Sequence, residues 1–180
     1  MPHISYSQLK DWDKCAFYHK LIHADGLKLF KGNEYTAFGT AIHDVCENML
    51  LYPDTEPKVR MHFELKFKEQ IKLLEEADVP LNETMLEQMK QQGARLGPLV
   101  LPAVKECFKD FEVISTEEKI YEDIQGYEDK YKFKGFIDLV LKTSDGKYHV
   151  IDWKTCSWGW DTRRKSDRMT TYQLTYYKYF

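Results

Sequence analysis

The hydrophobic period changes near residue 110, and that change restricts the fold more than any other feature of the chain. Before it, apolar residues recur at helical spacing: positions 38, 42, 45, 46, 49 and 50 within Ala37–Leu51, then Val59, Phe63, Phe67, Ile71 and Leu74 within Glu56–Ala77. Pro53 stops the first of these helices, and Asn82 is placed to cap a third, Glu83–Arg95. Gly97-Pro98 marks a break before an apolar helix reaching about Lys109. Beyond that point, segments rich in β-branched and aromatic residues predict strands over Phe111–Ile124, Tyr131–Lys142 and Tyr148–Thr155. Gln125–Asp129 supplies one turn, and Ser144-Asp145-Gly146 signals a tight hairpin. Gln8–His19, with Ser5 or Ser7 as cap, and Thr170–Phe180 read as helices at the two ends. Helices first, then a β-meander, then a helix predict an α/β layered fold: a mixed or antiparallel sheet flanked by helices, with a helical N-terminal half.

At 180 residues and 43% hydrophobic, the chain has the size and apolar content of one domain, 1–180, with its own core. No apolar run approaches the roughly 20 residues of a membrane span, and the N-terminus lacks the build of a signal peptide. Cys15, Cys46, Cys107 and Cys156 lie far apart with no CxxC, as expected of reduced thiols in a cytoplasmic protein. A net charge of −3 makes no case for nucleic-acid binding by itself. Three of the arginines nevertheless cluster at 163, 164 and 168, and with Lys165 they form a local basic patch. The sequence stops at Lys178-Tyr179-Phe180, inside an apolar helical pattern with no cap, as expected of a chain truncated at its C-terminus.

The chemistry concentrates on the last two strands, in Gly135-Phe136-Ile137-Asp138 and Val150-Ile151-Asp152-Trp153-Lys154. Strand alternation puts Asp152 and Lys154 on one face, and the Asp145-Gly146 turn returns the chain beside Asp138. Two adjacent carboxylates repel unless a cation lies between them, and hard oxygen ligands suit Mg²⁺ or Mn²⁺. A lysine beside such a site can orient an attacking water and offset charge developing on a phosphate. Either Glu117 or Glu118, on the preceding strand, is positioned to add a carboxylate, Glu118 being the first choice. His43 opens an apolar helix after Gly39, and Gln173 and Tyr177 lie one turn apart on the last helix, where both can reach a phosphate or base.

Taken together, Gly39-Thr40-Ala41-Ile42-His43, the Glu117-Glu118 strand, Gly135–Asp138, Ile151–Lys154 and Gln173–Tyr177 resemble the PD-(D/E)XK nuclease superfamily. Their order is most similar to its RecB-like exonuclease branch, as is the opening segment Ile4-Ser5-Tyr6-Ser7-Gln8-Leu9 followed by Cys15. The resemblance implies a restriction-endonuclease-like core. It also implies His43, Asp138, Asp152 and the carbonyl of Trp153 as metal ligands, Lys154 as the catalytic lysine with Glu118 assisting, and contacts from Gln173 and Tyr177 to DNA. Ile137 precedes Asp138 where the family name has Pro, and Asp152 stands where many relatives have Glu. Iron–sulfur members of the branch use one cysteine matching Cys15 and three beyond the last helix; no cluster is predicted for this chain.

The expected function is therefore a Mg²⁺- or Mn²⁺-dependent deoxyribonuclease, an exonuclease of phage or bacterial DNA recombination or processing. Arg163, Arg164 and Arg168 would hold the DNA backbone, and Trp158 and Trp160 would stack on unpaired bases. The alternatives are a non-catalytic DNA-binding subunit with the same fold and a restriction-type endonuclease. A zinc hydrolase using His43 and Glu47 is more distant, because the sequence contains no HExxH.

Overall fold

The computed structural model describes residues 2–27, 30–53, 58–156, 159 and 161–180. Trp158 and Trp160, expected to stack on bases, lie outside the described residues. Among the described residues, no helix is long and apolar enough to cross a membrane.

The helical half is built around α3 (Glu34–Leu51). Its start is set by a reciprocal cap: Asn33 accepts from the Thr36 N–H at 3.0 Å, and Thr36 Oγ1 accepts from the Asn33 N–H at 2.9 Å. Ala37, Phe38, Ala41, Ile42, Val45, Cys46, Met49 and Leu50 form its buried stripe, leaving His43 half-exposed beside it. Helix α4 (Val59–Glu76) packs along α3 through Phe63 and Phe67, whose rings stack with centroids 5.5 Å apart while Phe38 meets both edge-on. Helix α5 (Glu83–Leu96), capped by Asn82 as expected, passes so close that a Cβ on Gly93 would fall 2.0 Å from Phe63 Cζ. A single 3₁₀ turn over Gly97–Leu99 leads into α6 (Val100–Phe108).

Strands β2 (Phe111–Asp123) and β3 (Lys132–Thr143) pair antiparallel along their whole length, and β4 (Tyr148–Ile151) pairs antiparallel with the end of β3. A further short strand, β1 (His3–Ser5), runs parallel to the start of β3 in register His3↔Lys132 to Ser5↔Lys134. The sheet is therefore mixed and flanked by helices, as expected; the parallel strand itself had no signal, because three residues carry no readable alternation. Since β2 covers one edge of β3, β1 and β4 share the other. They leave Gly135–Asp138 between them without a strand partner on that edge among the described residues.

Helix α1 (Tyr6–Lys14) follows β1 directly, with Ser5 as its cap. Helix α2 (Ala16–His19) and a π-helical turn over Lys20–Ala24 complete the N-terminal segment, so the stretch expected as one helix over Gln8–His19 is divided at Cys15. The predicted third strand is shorter than expected, ending at Ile151 rather than Thr155. After a short helix α7 (Thr162–Lys165), α8 (Arg168–Tyr179) returns to the sheet. Two clusters divide the core along β3. Leu139 and Leu141 pack with the α3–α6 layer, whereas Phe133 and Ile137 pack with Ile120 and Tyr177, and Phe133 stacks on Phe180 at 4.3 Å between centroids.

Candidate active site

Asp138 occupies the strand segment that lacks a partner on one edge, and three elements converge on it. From the segment just after β4, the backbone N–H of Trp153 donates to Asp138 Oδ2 at 2.6 Å. From α3, His43 Nδ1 lies 3.6 Å from the same oxygen. From β2, Glu117 completes a group in which one ligand atom each of His43, Glu117 and Asp138 lie within 4.8 Å of one another.

The register explains why Glu117 fills this place. Thr116 pairs with Leu139 and Glu118 with Ile137, so the residue between them, Glu117, stands opposite Asp138. Glu118, the first choice from sequence, instead sits opposite a residue of the apolar cluster under α8 and is not in the group. A one-residue change of register exchanges the two faces, and a bulge between Val113 and Ser115 shifts the pairing before the site is reached. Glu117 also has φ +48°, a left-handed conformation costly for a residue with a Cβ.

Asp152 lies one residue beyond β4. Continuing the Leu139↔Ile151 register by one step sets it beside Asp138. Because the strand has ended, alternation does not hold Asp152 and Lys154 together; a direct ion pair between their side chains does. On its other side, Asp152 Oδ1 accepts from the Gln173 amide at 2.8 Å, and the same amide donates to the Tyr177 hydroxyl oxygen at 3.0 Å. Tyr177 is buried against Gly135, where an added Cβ would meet Tyr177 Cε1 at 2.7 Å. Glycine at 135 is thus required by the close approach of α8.

The electrostatics are those of crowded carboxylates. Burial, assisted by Asp138, raises the Asp152 carboxyl above its ordinary range against the lowering effect of Lys154. Glu117 is likewise raised, by burial first and then by Asp138 and Glu47, with His43 opposing. Glu47, one turn beyond His43 on α3, accepts from Thr116 Oγ1 at 2.9 Å and brings a further acid to the edge of the group. In sequence, only helical spacing connects it with His43. Mutual repulsion among Glu117, Asp138 and Asp152 is relieved by a cation, and one imidazole with several carboxylates is a donor set that fits a divalent metal.

The remaining expected residues are more dispersed. Arg163 and Arg164 lie on α7, where Arg164 Nη1 reaches the Gly159 carbonyl at 3.5 Å. Arg168 packs on Tyr172, its guanidinium 5.3 Å from the ring centroid. These arginines border the connection between Lys154 and α8, and none contacts the acidic group. Cys15 is exposed, and its sulfur caps α2 at Tyr18 N. An apolar cleft of about 440 Å³ is lined by Trp153 and Lys154 together with Tyr35, Phe38 and Leu99 of the helical half.

Neither the curated proteins nor the solved structures include a match to this chain. The family model of the PD-(D/E)XK nuclease superfamily, however, matches residues 3–180. That span carries every part of the site, from His43 through Asp138 and Asp152–Lys154 to Gln173 and Tyr177. The chain belongs to the PD-(D/E)XK nuclease superfamily.

Proposed function

We propose that this protein is a metal-dependent DNA exonuclease of DNA recombination or processing, hydrolysing phosphodiester bonds at the Asp138–Asp152–Lys154 centre. The observation that carries the reading is the convergence of His43, Glu117 and Asp138 within 4.8 Å, with the Asp152–Lys154 pair alongside. His43, Asp138, Asp152 and the Trp153 carbonyl, with Glu117 in the place first given to Glu118, are the residues that would hold Mg²⁺ or Mn²⁺. Such an ion supplies Lewis acidity toward the phosphate and lowers the pKa of bound water.

The chain's own groups do the rest. Asp152 holds the Lys154 ammonium next to the acidic group, where it orients the attacking water and offsets negative charge gathering on the phosphate oxygens. The water gives up a proton to solvent as its oxygen bonds to phosphorus, the bond to the leaving sugar oxygen breaks, and that oxygen takes up a proton from solvent. Gln173 keeps Asp152 from rotating away from this arrangement. Arg163, Arg164 and Arg168, exposed or half-exposed on α7 and at the start of α8, suit the backbone of the DNA strand.

The test uses 5′-labelled linear and closed circular single-stranded DNA with Mn²⁺, Mg²⁺ or EDTA, beside a Lys154→Ala control. Loss of the linear strand alone, dependent on metal and absent from the control, is the expected result. Cutting of the circle would make the protein an endonuclease, and full activity of Lys154→Ala would remove the assignment of the centre.

A further inference from the structure

A second cleft, of about 410 Å³, adjoins the centre at Gln173 and Tyr177. Ser5, Ser7 and Gln8 form one wall, His23 and Lys134 flank it, and Gln173 and Tyr177 close it toward the acidic group. The two sites touch through one side chain, since the Gln173 amide that borders the cleft is the one bonded to Asp152.

The lining has a consistent chemistry. Among the described residues its lining contains no Asp or Glu, although it lies against a cluster of carboxylates. Lys134 makes no ion pair with a carboxylate among the described residues; its ammonium lies 5.6 Å from the Phe136 ring centroid. The Ser5 and Ser7 hydroxyls are 2.8 Å apart and bonded to each other, a pair that retains capacity to donate outward. His23 is held in place by Asp11 at 2.8 Å. Helix α1 begins here, capped by Ser5 and with no acid in its first turn, so its N-terminal end adds positive potential to the same space. The segment of β3 without a partner on this edge, at Gly135 and Phe136, forms the floor.

We infer that this cleft binds the phosphodiester backbone of the substrate strand, at the nucleotide adjoining the one whose ester is cut. The inference rests on the nuclease reading and assigns it a second, sequence-independent subsite. Hydroxyl, amide and ammonium donors in an acid-free wall suit a phosphate, and the volume lies within the range of ligand clefts. The subsite also gives a role to the opening segment: β1 and α1 place Ser5, Ser7 and Gln8 opposite Lys134, its register partner being Ser5.

The test measures anisotropy of a labelled single-stranded oligonucleotide with Ca²⁺, comparing the wild type with Lys134→Glu, Ser7→Asp and, as a charge control, Lys72→Glu on α4. Both cleft variants, each of which sets a carboxylate against the phosphate, are expected to bind about tenfold more weakly or worse. Lys134→Gln should also lower the salt slope of binding by about 0.7. Far-UV circular dichroism reports folding, and exposed Ser7 provides the result if Lys134→Glu does not fold. Wild-type affinity in the cleft variants, or an equal loss in Lys72→Glu, overturns the subsite. A wild type that neither binds nor cuts DNA instead overturns the nuclease reading on which it rests.

Discussion

Gln173 donates to Asp152 at 2.8 Å and to Tyr177 at 3.0 Å with the same amide nitrogen, linking the last helix to the acidic end of β4. From sequence these two residues were expected to touch a phosphate or base. In the folded chain Tyr177 is buried and Gln173 is occupied by Asp152. On the proposed nuclease reading, this bond gives Gln173 the part of a positioning residue for Asp152. Gln173→Ala is expected to lower divalent-metal affinity and kcat by about 10- to 100-fold, as loss of a group that orients a metal ligand does. Tyr177→Phe, which keeps the packing, should have the smaller effect. Metal titration by calorimetry separates this role from DNA contact, which would raise KM and leave metal affinity unchanged.

Glu117 and Glu118 are adjacent in sequence and opposite in consequence. Glu117→Gln removes a carboxylate from the His43–Asp138 group, whereas Glu118→Gln changes a residue opposite Ile137. Thermal shift on adding Mn²⁺ is expected to shrink in Glu117→Gln and to match the wild type in Glu118→Gln. The reverse pattern would mean that β2 is shifted by one residue.

Two glycines should separate stability from activity. An alanine Cβ at Gly93 would fall 2.0 Å from Phe63 Cζ in the helical core, and overpacking of this kind costs typically about 1–3 kcal/mol or more. At Gly135 the clash is with Tyr177 Cε1 at 2.7 Å, and displacing that ring disturbs Gln173 and hence Asp152. Urea unfolding combined with a nuclease assay should show Gly93→Ala losing mainly stability and Gly135→Ala losing activity in excess of its stability change.

Cys46 is buried on α3, and that burial, with Asp138 contributing, pushes its thiol from 9.0 up to about 12. The folded protein keeps the proton while the unfolded chain releases it near the ordinary value. The associated stability is therefore complete below about pH 9 and declines as pH rises toward 12. Because the thiolate is the reactive form, iodoacetamide at pH 8 is expected to label exposed Cys15 and Cys107 and to spare Cys46 until the protein unfolds. Peptide mass spectrometry reads the result.

The sequence by itself determined the elements and most of the residues that gather at the candidate site. Helical period before residue 110 and β-type segments after it are local properties, as is the Asn82 cap, and the structure has them within a few residues. The hairpin through Asp145-Gly146 also sufficed to return Asp152 toward Asp138, because a tight turn sets pairing over a short distance. Tertiary structure decided what depends on distant partners. Strand β1 pairs with a segment more than a hundred residues away, and a three-residue strand has no pattern of its own to announce it. The choice of Glu117 over Glu118 depended on the β2–β3 register, set across a longer turn and altered by a bulge. The role of Gln173 followed from the docking of α8 onto Gly135, which only the packed fold brings about. Periodicity identifies a face of an element; it does not specify which atoms of another element that face will meet.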